Sequence, residues 1–245
     1  MPDQPLLGKS ALITGGAKRI GRAIALALAR AGADVAITFR NSHDEAATVA
    51  DQILALGRTA IAIECDTRSE DSVRRAVAFA VEQFASLDVL VNNAAIFEPA
   101  PLDSMSVEQW DAMFAANTRG PFLVTREALP ALRAARGAIV NLGSLGGIEA
   151  WPGHAHYCAS KAALHSLTRT MAVAFAPEIT VNCVAPGFIQ MEGSPEDAGA
   201  RFRTKTPMQR NGTADDIAQA VLSFATASRF ITGQILAVDG GLSLV

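Results

Sequence analysis

The chain has 245 residues, 50% of them hydrophobic, 18% charged and 6% aromatic, a balance that fits one globular unit and excludes a disordered or low-complexity chain. A formal net charge of -3 excludes a basic nucleic-acid footprint and a polybasic membrane patch, so neither nucleic acid nor membrane is expected as a partner. Cys65, Cys158 and Cys183 are odd in number and widely spaced, which predicts a reducing, cytoplasmic setting rather than a disulfide framework.

Residues 1–8 contain two prolines and no basic apolar signal, and a short flexible leader is expected there. From Gly8 onward, short β-branched runs alternate with alanine-rich helical stretches, the pattern of successive βα units around a parallel sheet. Seven strands are expected, at about Ser10–Thr14, Asp34–Phe39, Ala60–Cys65, Val89–Asn92, Ala138–Leu142, Thr180–Val184 and Gln234–Val238. Each is short and apolar enough to be buried on both faces. Between them, Arg19–Ala31 is a strong helix former followed by Gly32, and Asp44–Leu56 is followed by Gly57, each glycine standing where a left-handed residue would end the helix. Thr213 with Asp216 three residues on predicts a capping box that opens a helix toward Ala225. Right-handed crossovers then put helices on both faces of one sheet. The fold class expected is α/β, a single doubly wound domain over residues 9–245 with a seven-stranded parallel sheet. Only about 188–211 departs from the pattern, mixing Gly, Pro and charge without period, and it is expected as a mobile excursion over the site.

The first strand runs into Thr14-Gly15-Gly16-Ala17-Lys18-Arg19-Ile20-Gly21 and then a helix. Glycines at such a turn let backbone N–H groups approach a pyrophosphate, and the helix N-terminus adds partial positive charge. In this context the turn predicts a dinucleotide site of the Rossmann type. The second strand ends in Phe39-Arg40-Asn41-Ser42, with no acid before Asp44. A carboxylate there would take a free ribose 2′-OH, whereas a cation favours a 2′-phosphate. Arg40, with Lys18 and Arg19 adding charge from the neighbouring loop, therefore predicts NADP(H).

The only tyrosine, Tyr157, lies four residues before Lys161, one of four lysines. On a helix, positions i and i+4 share a face, and an ammonium near a phenol favours the phenolate, which predicts a lowered tyrosine pKa and an acid–base pair. Ser144 follows the fifth strand in Asn141-Leu142-Gly143-Ser144, at the carboxyl edge where open α/β sheets bind ligands. Its hydroxyl is placed to hold a substrate oxygen beside Tyr157, although a lone serine there also reads as a turn or helix cap.

Thr14 to Gly21, Asn92-Asn93-Ala94-Ala95, Asn117, Ser144, Tyr157-Cys158-Ala159-Ser160-Lys161, Pro186-Gly187 and Val238-Asp239-Gly240-Gly241 together resemble a short-chain dehydrogenase/reductase over about Gly8 to Val245. The resemblance implies hydride transfer between a nicotinamide and a carbonyl or imine carbon of a small-molecule substrate. It gives Tyr157 the role of proton donor, Ser144 a hydrogen bond to the reacting oxygen, Lys161 the nicotinamide-ribose hydroxyls, and Asn117 a water of the proton relay. It further places Gly15, Lys18, Arg19, Ile20, Gly21, Arg40, Asn41 and Ser42 around the phosphates, and Asp66 and Thr67 at the adenine. Asn93, Ala94 and Ala95 fall at the adenosine ribose, and Pro186, Gly187 and Ile189 at the nicotinamide. Relatives of this kind form tetramers through the long helices after strands four and five, so a homotetramer is expected.

Arg19 stands where the family usually has glycine, and the form of this loop with Arg40-Asn41-Ser42 resembles the pteridine reductase branch. Ser144, however, stands where many bacterial members of that branch carry aspartate, which favours ordinary carbonyl reduction, for example of a 3-oxoacyl thioester. Met191 replaces a threonine common in relatives. Both substrate classes stay open, as does a reading of another class, an NADP-sensing regulator that kept the fold and lost the chemistry. His154 and His156 have a two-residue spacing but no completing ligands, so no metal is expected and both read as structural or substrate-lining residues. His43 and His165 read as surface or packing residues, Cys158 points away from the pair, and Trp110, Met113 and Phe114 read as a packing face.

Overall fold

A computed structural model describes residues 4–191, 193–195 and 197–245. Seven strands, β1 (Ser10–Ile13), β2 (Asp34–Phe39), β3 (Ala60–Glu64), β4 (Val89–Asn92), β5 (Ala138–Leu142), β6 (Thr180–Pro186) and β7 (Ile235–Val238), form one parallel sheet in the order β3-β2-β1-β4-β5-β6-β7. The helices are α1 (Arg19–Arg30), α2 (His43–Ala55), α3 (Glu70–Phe84), α4 (Val107–Phe114), α5 (Gly120–Ala135), α6 (Ala155–Phe175), α7 (Ala200–Lys205) and α8 (Ala214–Thr226). The strand order reverses between β1 and β4, which makes the crevice between their carboxyl ends the switch point where such sheets take ligands.

The period-2 alternation of a strand divides its side chains between two helical layers. Ala11, Ile13, Val35, Ile37, Val89, Val91, Val140 and Leu142 meet α1 and α8 through Ile24, Leu28, Ile217 and Val221. Leu12, Ala36, Leu90, Ile139 and Val181 face the other way, toward Val73 and Val77 of α3 and Leu123, Ala128 and Leu132 of α5. Burying each of these valine, leucine and isoleucine side chains contributes roughly 1.5–3 kcal/mol.

The end strands correct one expectation. β3 and β7 are not buried on both faces: Ala62 and Glu64 are exposed, and so is Leu236. Each has a single strand neighbour, and burial on both faces belongs to the inner strands. Within the expected flexible leader, residues 4–8 form a turn instead. Leu6 is buried and its N–H donates to the Ala31 carbonyl at 2.9 Å, so this stretch is tied to the end of α1; residues 1–3 lie outside the described residues. The capping box is present, with the Thr213 hydroxyl accepting from the Asp216 N–H and the Asp216 carboxylate accepting from the Thr213 N–H. The 188–211 stretch is not wholly irregular, since α7 lies in it and Ile189 makes a single parallel bridge to Gly212; Glu192 and Glu196 lie outside the described residues.

Candidate active site

All the predicted site residues outside the helices fall at the carboxyl ends of strands. After β1, Gly15 has a positive φ of 65°, which costs glycine nothing. A Cβ at Gly21 would come within 2.2 Å of the Gly15 carbonyl and 2.6 Å of Asn93 Nδ2, so only glycine closes this turn. The loop after β4 locks it: Asn93 Nδ2 donates to the carbonyls of Thr14 and Gly15 at 2.8 and 3.0 Å, and the Thr14 hydroxyl accepts from the N–H groups of Asn93 and Ala94. The side chain of Asn93 is thus spent on the turn, and Ala94 and Ala95 carry no side-chain hydrogen-bonding group.

α1 starts at this turn with no side-chain cap and no acid in its first turn, whereas α3 and α8 both have capping side chains. Its N-terminal N–H groups are therefore free for an anion. Arg19 sits at φ 53°, where a side chain costs roughly 1 kcal/mol. Lys18, beside this turn, pairs its ammonium with Glu45 at 2.6 Å, both side chains being about half exposed.

Farther along the edge, Arg40, Asn41, Glu64, Asp66, Arg68, Ser72 and Arg75 line a cleft of about 810 Å³. Arg68 chelates Asp66 through Nε and Nη2, at 2.9 and 2.6 Å, and this guanidinium holds the Asp66 carboxyl below its ordinary range. Arg68 and Arg75 were not singled out from sequence; they lie on or before α3, far from the glycine turn in the chain. Ser42 instead lies at the N-cap of α2, and Thr67 abuts the start of α5, where a Cβ on Gly120 would come within 3.2 Å of its hydroxyl.

At the other end of the crevice, α6 carries Tyr157 and Lys161. Lys161 is 3% exposed; its Nζ donates to the Leu142 carbonyl at 2.7 Å and lies 5.9 Å from the Tyr157 ring centre. Burial brings its pKa down to about 8. Tyr157 contradicts its expectation: its pKa is raised, because burial disfavours the phenolate and outweighs the hydrogen bond with Ser144 that draws it down. The amine is engaged with Leu142 rather than with the phenol oxygen, so in the protein alone the phenol is a held proton and not a phenolate.

Ser144 is a cap, as one of its two readings had it, and it lies beside Tyr157. Its hydroxyl accepts from the Gly146 N–H at 3.1 Å and caps a 3-10 turn over Leu145–Gly147, while the same side chain reaches Tyr157. Asn117 lies in a π-helical turn over Ala115–Arg119 and is fully buried. Its Oδ1 accepts from the Ile96 N–H, and its Nδ2 donates to the Ile96 carbonyl and Ser160 Oγ. Pro186 ends β6, and Gly187 donates to the Val238 carbonyl, so close to Asp239 that a Cβ would come within 2.6 Å. Ile189 is buried in the core, which leaves its backbone as the part available to a ligand.

Two rings that the sequence did not single out, Trp151 and Phe97, flank Tyr157, and His154, read from sequence as structural or substrate-lining, packs behind them. Trp151 stacks on the tyrosine at 6.2 Å and Phe97 meets that ring edge-on at 4.7 Å, while His154 stacks on Phe97 at 4.8 Å. Phe97 is 56% exposed. His154 turns its Nδ1 to the Pro152 carbonyl, and among the described residues no three His, Cys, Asp or Glu side chains gather as metal ligands. Trp110 and Phe114 stack at 5.1 Å and Met113 is buried, but Trp110 itself is exposed, so the expected packing face is only partly covered. Among the described residues no helix is long and apolar enough to cross a membrane.

The buried ammonium makes a testable demand on stability. Lys161 has a folded pKa of about 8 against an ordinary value near 10.5, so between those values the unfolded chain binds more protons and its contribution to stability rises with pH. Lys161→Met is expected to raise the stability of the cofactor-free protein at pH 7 by about 2 kcal/mol, read as a higher denaturation midpoint at unchanged slope; a lower midpoint would refute the account.

This crevice, with its glycine turn, uncapped helix and Ser144, Tyr157 and Lys161 set, is that of a nucleotide-binding oxidoreductase scaffold. The family profile described as enoyl-(acyl carrier protein) reductase matches residues 15–243, and the chain belongs to the short-chain dehydrogenase/reductase family. It is 39% identical over 242 residues to a 3-oxoacyl-(acyl-carrier-protein) reductase of Staphylococcus epidermidis, covering 96% of this chain and 99% of the relative. A short-chain dehydrogenase of Burkholderia cenocepacia solved in complex with NADP is 41% identical, with a TM-score of 0.91 over 98% of this chain and 99% of that one. A blue fluorescent protein from a metagenomic library solved with NADPH is 36% identical, with a TM-score of 0.92 over 98% of this chain and all of that one, 100%.

Proposed function

We propose that the protein is an NADPH-dependent carbonyl reductase in which Tyr157 donates the proton. The observation that carries this reading is the meeting of Ser144, Tyr157 and Lys161 in one pocket at the carboxyl end of β5, which a nucleotide sensor would not need. The residues fit the cofactor: the uncapped α1 with its glycine-only turn suits a pyrophosphate, and Arg40 with its neighbours suits a 2′-phosphate. Relatives solved with NADP and NADPH support the same choice. When bound, NADPH supplies the hydride. Ser144 holds the carbonyl oxygen, Tyr157 passes its proton to that oxygen as charge develops, and Lys161 orients the ribose side and compensates the phenolate left behind. Asn117 has its side chain committed to Ile96 and Ser160, so a relay water would rest on its main-chain carbonyl.

The ring wall of Phe97, Trp151 and His154 favours a flat conjugated substrate, an aryl ketone or a pterin-type ring, over a plain 3-oxoacyl chain. The test is NADPH absorbance decay with matched aryl ketones, dihydropterins and aliphatic 3-oxo esters. Aryl or pterin turnover is expected to lead, and Trp151→Ala to cut kcat/KM for the ring substrates by about 5- to 10-fold while sparing the aliphatic ones. No decay with any of them despite tight NADPH binding would favour the sensor instead. Exposed Phe122 on α5 and Val173 on α6 support a homotetramer packed through those helices, and three free cysteines support a reducing compartment.

A further inference from the structure

His165 sits in α6 one turn beyond Lys161 and two beyond Tyr157. It is 5% exposed, where the sequence gave it a surface or packing role. Its ring lies between Gly143 and Gly147, the residues that bracket Ser144. A Cβ on Gly143 would come within 2.2 Å of His165 Nε2, and one on Gly147 within 2.6 Å of Cε1 and 2.9 Å of Nδ1. Glycine at both positions is thus what admits the imidazole. The Ser144 N–H donates to Nε2 at 3.4 Å; with Nε2 accepting, the ring proton belongs on Nδ1, the side facing Gly147. Burial first, then the charges of Lys161 and Arg169, lower the imidazole pKa to about 4, against the opposing pull of the Gly147 carbonyl. At neutral pH the ring is an uncharged acceptor.

We propose that His165 is a positioning residue for the reduction: its neutral ring is a strut from the helix that bears Tyr157 and Lys161 to the loop that bears Ser144, and it sets the Ser144 hydroxyl against the phenol. The inference rests on the reductase reading above. Two further hydrogen bonds at Ser144, from the Gly146 N–H to its hydroxyl and from the Gly147 N–H to its carbonyl, are internal to the loop and cannot fix it relative to the helix, and the bond with Tyr157 is the contact that has to be set. Lys161 Nζ reaches the Leu142 carbonyl, two residues before the serine, so the strut that acts at Ser144 itself is His165. A neutral acceptor also suits the place, because a second cation would stand beside the Lys161 ammonium.

The test compares His165→Leu and His165→Gln in the full-length protein, each alone and combined with Ser144→Ala, using an aryl ketone that the wild type reduces. Leucine keeps volume but leaves the Ser144 N–H without an acceptor, whereas glutamine can carry an amide oxygen to about the place of Nε2. His165→Leu is expected to lower kcat about tenfold with NADPH Kd unchanged. His165→Gln should restore most of that loss, and in the Ser144→Ala background neither substitution should lower kcat further. Ring ¹⁵N shifts of His165 in the wild type should report the neutral Nδ1–H form at pH 7.

Equal losses with and without Ser144 would overturn the proposal, as would a leucine variant that loses NADPH affinity instead of kcat, or ring shifts of the Nε2–H form. If the leucine variant does not fold, the glutamine variant decides: retained kcat supports the strut, and a loss of the same size in both backgrounds refutes it. Failure of the reductase reading itself is read separately, as turnover retained by Tyr157→Phe.

Discussion

Tyr157→Phe is expected to lower kcat by about 10²- to 10⁴-fold while leaving the Kd for NADPH nearly unchanged. The substitution removes one hydroxyl and keeps the ring that Trp151 and Phe97 hold at 6.2 and 4.7 Å, so the pocket keeps its shape. What is lost is the proton. Burial raises the pKa of this phenol and Ser144 draws it back, which means that below pH 10 the cofactor-free protein carries Tyr157 protonated and ready to donate. The rate of reduction should therefore hold at neutral pH and fall on the alkaline side, first as Lys161, with its pKa brought down to about 8, loses its charge and then as the phenol ionises. Stopped-flow NADPH oxidation against pH measures both statements, and a Tyr157→Phe variant that turns over at the wild-type rate would sink the assignment.

The inner strands were legible because a parallel strand covered on both sides must be apolar at every position, and β2, β4 and β5 fall at the expected bounds. β3 and β7 were misread for the same reason: an apolar run does not say how many neighbours a strand will have. The glycine turn and the Tyr157–Lys161 pair were legible because their geometry is local, a turn of a few residues and one turn of helix.

Contacts made across the chain were hidden. Lys18 meets Glu45 from the next helix, Arg75 of α3 comes to the same cleft as Arg40, and His165 meets a serine 21 positions earlier. The π-helical turn at Asn117 breaks a segment whose composition reads as ordinary helix. The tyrosine pKa was misjudged because spacing reports a neighbour, whereas the shift is governed by burial and by where the amine's own hydrogen bond goes. In each case a local rule met a partner that only the tertiary fold supplies.

Arg40→Ala is expected to reduce kcat/KM with NADPH by about 10- to 100-fold and with NADH by less than about threefold. The argument rests on which cations of the cleft are committed. Lys18 is paired with Glu45 and Arg68 with Asp66, so each already has an anionic partner that a phosphate would have to compete with. Arg40 and Arg75 line the same cleft, and no ion pair of either is found among the described residues. Arg40 is the one at the end of β2, where the chain lacks the carboxylate that would hold a free ribose hydroxyl. Its guanidinium already acts on Asp66, helping to keep that carboxyl ionised, and a dianionic phosphate would be drawn more strongly.

Because the site opens to solvent, the preference for NADPH should weaken as salt is raised, and the salt dependence should shrink in the variant. Steady-state kinetics with both cofactors at two ionic strengths read the effect directly. Equal losses for NADPH and NADH would mean that Arg40 shapes the cleft without reading the phosphate, and Arg75→Ala would then be expected to carry the discrimination.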